Sequence, residues 1–309
     1  MIYNAFFSNF YPVKYSVSID HESYKYQMKY LLKMNVILII LIQIFYFADK
    51  SWAEPNLVFV SIAPQKFFVE RIGGNEVRVE VMVSPGESPA TFNPNPKKMS
   101  HLAYAKLYFS IGVPFEKVWI SRIKSMQPKL KIIPLNKNTT ASIDHQQDEG
   151  DPHIWLSPPL AKKMVAQIES ALSRQRPEKS SFFKKNYQAL IRDIDKLDQE
   201  IRQVLSKSKK HTFMVFHPAW THFAKAYGLK QISIEHHGKE PGPRALQEII
   251  NAGKKQNIKI IFVQKQFGLP VAKKIAKMIG ATVQEMDPLA ENYIDNLRNT
   301  AQAISGAIN

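Results

Sequence analysis

The chain has 309 residues, 45% of them hydrophobic and 22% charged, enough for one large or two medium domains with real cores. A formal net charge of +16 raises the question of an anionic partner, but no basic tract is interleaved with aromatic residues, so nucleic-acid binding is set aside and the lysines are read as solvated surface. There is no cysteine, which excludes disulfides and cysteine nucleophiles.

Residues 1–53 read as a secretory signal peptide. Lys29 and Lys33 precede an apolar run from Val36 to Phe47, broken by Gln43, and Ser51-Trp52-Ala53 places small residues three and one before a cut ahead of Glu54. The run is shorter than the ~20 residues that cross a bilayer, which argues against a permanent anchor. Residues 1–27 lie upstream of Met28 and read as the product of a misplaced start codon. The exported part is still basic and offers no cysteine for a lipid. The expectation is a soluble periplasmic protein, not a lipoprotein, held together by its core.

From Leu57 the pattern alternates strand and helix. Leu57–Ile62 reads as a buried strand, and a helix from Gln65 is ended by Gly73-Gly74. Val77, Val79, Val81 and Val83 share one face of a second strand. A proline-rich loop from Ser84 to Pro96 leads to a helix over Lys97–Ala105, then to strands at Leu107–Ile111 and Leu130–Pro134. This order implies a mostly parallel sheet with helices on both faces.

After a polar, acidic run ending at Gly150, the segment Asp151-Pro152-His153-Ile154-Trp155-Leu156-Ser157-Pro158 leads into a helix over Leu160–Leu172. Phe183, Tyr187, Leu190, Ile194, Leu197, Ile201 and Val204 then form one apolar stripe, predicting a helical strut over Ser181–Ser206. The alternation resumes with a strand at Thr212–Phe216, a helix at Pro218–Tyr227 and a strand at Gln231–Glu235. A helix to Gln256, a strand at Lys259–Val263, a helix at Pro270–Ile279, a strand at Thr282–Met286 and a final helix complete the chain. The fold expected is α/β: two lobes with mostly parallel sheets joined by one long helix. Residues 54–178 form the N-terminal lobe, 179–208 the linking helix and 209–309 the C-terminal lobe.

Ligands of open α/β sheets bind beyond the carboxyl ends of the strands. His217 and Asp287 each directly follow a predicted strand, and His153 lies in the loop before the strut. Two imidazoles and a carboxylate suit zinc, and also manganese or iron. Each residue alone is as well explained as a satisfied loop histidine or a helix-capping aspartate. His217 and His222 are five apart, which does not fit the i, i+4 pair of a helical zinc site. Gly-x-Ser-x-Gly, phosphate-loop and His-Glu-x-x-His motifs are absent from the sequence, so binding is favoured over catalysis.

Pro85-Gly86-Glu87-Ser88-Pro89-Ala90-Thr91-Phe92-Asn93-Pro94, Gly112-Val113-Pro114-Phe115-Glu116, Asp151–Pro158, Phe216-His217-Pro218-Ala219-Trp220 and Asp287-Pro288-Leu289-Ala290 occur in that order. Together they resemble the zinc/manganese solute-binding proteins of metal-uptake ABC transporters, the ZnuA-like group, over residues 54–309. The resemblance implies a rigid linking helix, a metal site in the interlobe cleft, Zn2+ as transported ligand (with Mn2+ or Fe2+ as alternatives), and delivery to an ABC membrane permease by a monomer. It carries the metal ligands onto His153, His217 and Asp287. The family's first-loop histidine is replaced by Ala90, so the site is either three-coordinate from protein plus water or completed by another side chain, Glu116 or one of His236 and His237. His217, where manganese-type relatives carry a carboxylate, favours zinc. The alternative is an exported adhesion or interaction protein on the same fold with a degraded metal site.

Overall fold

The computed structural model describes residues 21–48, 55–137, 151–235, 239–264 and 268–309. The expected cut after Ala53, the acidic loop with His145, and the His236-His237 pair therefore lie outside the described residues. The chain divides into two compact units, residues 1–54 and 55–309. In the first, α1 (His21–Ala48) is a 28-residue helix that includes Lys29, Lys33 and the apolar run after Val36. No helix among the described residues is long and apolar enough to cross a membrane.

The second unit contains two four-stranded sheets. The first is built by β1 (Asn56–Val60), α2 (Ala63–Gly73), β2 (Val77–Val81), α3 (Pro96–Leu102), β3 (Leu107–Ser110), α4 (Pro114–Met126) and β4 (Lys131–Pro134). Then come α5 (Pro158–Gln175) and the long α6 (Ser180–Leu205). The second sheet follows in β5 (Thr212–Val215), α7 (Thr221–Ala226), β6 (Lys230–Ser233), α8 (Pro243–Lys255), β7 (Ile260–Val263), α9 (Leu269–Ile279) and β8 (Thr282–Glu285), and α10 (Tyr293–Ile308) ends the chain. The strand orders are β2-β1-β3-β4 and β6-β5-β7-β8, the same path twice, with every neighbouring pair parallel.

The hydrophobic runs explain the strands. Leu57 to Val60 and Leu107 to Ser110 are buried throughout, as expected for central strands covered on both faces. Gln65 closes the turn after β1: its side-chain oxygen accepts from the Ser61 and Ile62 amides, and its nitrogen donates to the Phe109 carbonyl at 3.0 Å. Asn95 caps α3 by accepting from the Lys98 amide at 2.9 Å. One helix was not read from the sequence. In α4 only Phe115, Glu116 and Ile123 are buried, while Val118 and Met126 are 55% and 58% exposed, so its apolar residues form no clean stripe.

The 26 residues of α6 span about 39 Å. Phe183, Leu190, Ile194, Leu197, Ile201 and Leu205 are buried, packing against α2, α5 and α10, and Tyr187 and Val204 flank them half-buried. One continuous apolar cluster runs from the first sheet through α5 and α6 to Phe213, Val215, Trp220 and Phe223 of the second lobe. A smaller cluster around Met214, Ile261 and Ile275 lies within the second lobe. α10 crosses back to the first lobe: the Tyr293 ring lies 4.6 Å from that of Phe68 and 5.9 Å from that of Phe67. The two lobes thus share a core, which fixes the crevice between them.

Candidate metal centre

His217 owes its place to β5. The strand's ladder continues through Phe216, whose amide donates to the Phe262 carbonyl at 2.8 Å, so the next residue emerges at the carboxyl edge of the sheet. Between β5 and β7 the strand order reverses direction, the place where open α/β sheets bind ligands. Along that edge, in sheet order, lie Glu235 after β6, His217 after β5, Gln264 after β7 and Asp287 after β8. Glu235 is 5% exposed and is held beside His217 because its amide donates to the Phe216 carbonyl at 2.8 Å. Its carboxylate accepts from Nδ1 of His217 at 3.0 Å.

His153 reaches the same place from the first lobe. Asp151 forms a tight turn: its Oδ1 accepts from the His153 amide at 3.0 Å and from His153 Nδ1 at 2.6 Å. The 3-10 turn that follows, Ile154–Leu156, is buried and anchors the loop.

The two imidazoles meet edge to face, their centroids 5.2 Å apart and their Nε2 atoms 3.4 Å apart. A carboxylate accepts only, so each Nδ1 carries the proton and each Nε2 presents a lone pair. A tetrahedral metal with bonds of about 2.0–2.1 Å separates two nitrogen ligands by about 3.3–3.4 Å. The observed spacing is that edge. Burial pushes the His153 pKa down; the hydrogen bond and charge of Asp151 oppose this, the imidazoles of His217 and His222 add to it, and the net direction is down. Burial alone would raise Asp151, but its hydrogen bond to His153 and the nearby His153 and His222 rings outweigh it and hold the carboxyl below its ordinary value. Both shifts favour a neutral imidazole beside an ionised carboxylate, the form that binds a cation.

Asp287 is not part of this pair. Its Oδ1 accepts from the Leu289 amide at 2.8 Å and its carbonyl accepts from Asn296 at 2.8 Å, a local turn ahead of α10. Among the described residues, no group of three or more His, Cys, Asp or Glu is gathered closely enough to hold a metal. Trp155 nevertheless ties this turn to the His153 loop, its Nε1 donating to the Pro288 carbonyl at 2.8 Å. Glu116, considered from the sequence as a fourth ligand, is otherwise engaged. Its carboxylate accepts from the Ile111 amide at 2.9 Å, from the Gly112 amide at 2.8 Å and from Ser61 Oγ, within the first lobe. Ala90 is exposed, with its amide donating to Ser88 Oγ at 3.2 Å.

Sequence reading did not single out Asp151, Glu235 and Trp155 around the histidine pair. The first and third lay inside the motif that carries His153, and Glu235 ends a predicted strand, so its signal was position along a strand. It also discounted His222. That ring is 1% exposed and its Nε2 lies 3.2 Å from the Asp151 carbonyl.

Residues 58–307 match the protein family described as "ZnuA: Zinc-uptake complex component A periplasmic". The chain belongs to that family. A solved structure of ZnuA is 36% identical and superposes with a TM-score of 0.77, covering 82% of this chain and 100% of that one. The Zn(II)-bound ZnuA-like domain of Streptococcus pneumoniae AdcA is 25% identical with a TM-score of 0.70, covering 82% and 99% of the two chains. The full zinc-binding lipoprotein AdcA of Streptococcus pneumoniae R6 is 26% identical over 302 residues, but this chain spans 60% of its length. The high-affinity zinc uptake system protein ZnuA of Bacillus subtilis is 24% identical over 278 residues, 81% of this chain and 87% of that protein. ZnuA-like proteins are metal-binding components of transport and not enzymes; several relatives are named for zinc, one was solved with zinc bound, and another structural neighbour was solved with manganese.

Proposed function

We propose that this chain captures zinc in the crevice between its two lobes, on the periplasmic side of the membrane, and delivers it to an ABC-type permease. The single observation that carries the reading is the pair of Nε2 lone pairs of His153 and His217, 3.4 Å apart, each fixed by a carboxylate on its Nδ1. That spacing is the edge of a zinc tetrahedron. Asp287, on the turn bonded to Trp155 and outside the histidine pair as it stands, is the third ligand proposed, and water completes the tetrahedron where Ala90 supplies no side-chain donor.

The test is calorimetric titration and thermal unfolding of the chelator-stripped protein. Zinc at about 100 times its dissociation constant should add about 2.7 kcal/mol of stability. His153→Ala and His217→Ala should each abolish that increment. Absence of any shift with zinc, manganese or iron would overturn the reading.

A further inference from the structure

Two buried ring N–H groups cross between the lobes beside the paired imidazoles. They run in opposite directions. Trp155, of the first lobe, donates from Nε1 to the Pro288 carbonyl of the second at 2.8 Å. His222, on α7 of the second lobe, lies with Nε2 3.2 Å from the Asp151 carbonyl of the first. A carbonyl only accepts, so that nitrogen carries the ring proton. Both rings are 1% exposed.

We propose that Trp155 and His222 are positioning residues. Together they form a reciprocal interlobe clasp that fixes the distance between the zinc-binding side chains and thereby sets zinc affinity. The proposal rests on the zinc-binding reading above.

Three observations carry it. First, each acceptor adjoins a residue of the site: Pro288 follows Asp287, and Asp151 is the carboxylate that holds His153 Nδ1. Trp155 itself stands two residues beyond His153, their ring centroids 5.1 Å apart. Any change in lobe spacing is therefore passed to His153 from both sides.

Second, His222 holds its place at a cost to the fold. With its proton on Nε2, its Nδ1 is a lone pair, buried and without a hydrogen-bond partner among the described residues. A desolvated acceptor with no donor is unfavourable, and an apolar ring of the same shape would avoid it. What His222 gives in return is the bond to Asp151.

Third, the clasp is not needed to hold the lobes together. The shared core through α6, and the packing of Tyr293 on Phe67 and Phe68, already do that. Removing a clasp bond should leave the lobes joined but loosen the site.

The test compares Trp155→Phe, which keeps an aromatic ring and loses the N–H, with His222→Leu and His222→Gln. The glutamine amide nitrogen can occupy the place of His222 Nε2. Zinc dissociation constants come from competition with a chromogenic chelator, and melting temperatures are taken with and without zinc. Trp155→Phe and His222→Leu should each weaken zinc binding by roughly 10- to 100-fold, the usual loss for a group that orients metal ligands. His222→Gln should recover most of the loss. The metal-free melting temperature should change little, while the increase produced by zinc should shrink. Zinc affinities equal to wild type in both variants, or a lower metal-free melting temperature with the zinc increment unchanged, would overturn the clasp and leave the zinc reading standing. A wild-type protein that binds no zinc would overturn both.

Discussion

Glu235 holds Nδ1 of His217 from the end of a neighbouring strand, at 3.0 Å, while Asp151 holds Nδ1 of His153 from two residues away in the same loop, at 2.6 Å. The two lobes arrive at one arrangement by different routes, one across a sheet and one within a turn. Each carboxylate selects the tautomer whose Nε2 can bind a cation and fixes the ring's orientation. Replacing Glu235 by Ala should therefore weaken zinc binding by roughly 10- to 100-fold. Glu235→Gln keeps an acceptor and should lose less. Asp151→Asn should follow the same order, and isothermal titration of the stripped proteins measures both. Equal affinities for Glu235→Ala and wild type would remove the carboxylate from the site's chemistry.

Tyr293 tests the joint between the lobes. Its ring packs between Phe67 and Phe68, yet its hydroxyl is buried with no hydrogen-bond partner among the described residues. The ring and the hydroxyl should thus have opposite effects. Tyr293→Ala should destabilise the protein by about 3–5 kcal/mol, the usual cost of losing a buried aromatic ring. Tyr293→Phe should be neutral or stabilising by about 1 kcal/mol, because an unpaired buried polar group is removed. Urea unfolding distinguishes the two, and a large loss for Tyr293→Phe would mean that the hydroxyl is paired in solution.

The central strands were legible because their apolar runs are continuous, and β2 because its valines alternate. His217 was legible because position after a strand predicts position at a crevice, and His153 because of the motif Asp151–Pro158 in which it lies. The helix α4 was not, since its buried face includes Glu116 and its exposed face includes Val118 and Met126, which cancels the period. Glu116 looked available as a ligand for a related reason. A sequence shows an acidic residue near a loop but not the Ile111, Gly112 and Ser61 donors that converge on it. The pairing of Glu235 with His217 spans 18 residues and depends on β6 lying beside β5, which only the fold decides. His222 was judged by helical spacing to His217, whereas its contact is to the other lobe.

Glu116 also gives a pH prediction. Burial raises its pKa above the ordinary glutamate value, and the hydrogen bonds from Ser61, Ile111 and Gly112 offset only part of that rise. The folded protein therefore keeps the proton to a higher pH than the unfolded chain. The stability contributed by protonation is fully present below the ordinary glutamate value and is lost as pH rises through the raised folded value. Glu116→Gln removes the titration. The stability of wild type minus that of Glu116→Gln should fall as pH is raised through this window, and urea unfolding of both proteins across the range measures it. A difference that grows with pH would mean that the three donors outweigh burial.

Gly268 links backbone conformation to the site. It begins α9 at φ +59, and a Cβ there would lie 2.0–2.3 Å from ring carbons of Phe216, the residue before His217. Gly280 ends the same helix at φ +70, where a Cβ would meet nothing within 4 Å. Alanine at either position incurs the left-handed backbone penalty of about 1–2 kcal/mol. Only at 268 must a core ring also move. Gly280→Ala should therefore lower the melting temperature and leave zinc affinity as in wild type. Gly268→Ala should lower it further and weaken zinc binding, because displacement of Phe216 carries His217 away from His153. Parallel zinc titrations of the two variants test this. Equal affinities would show that His217 holds its position independently of the ring that precedes it.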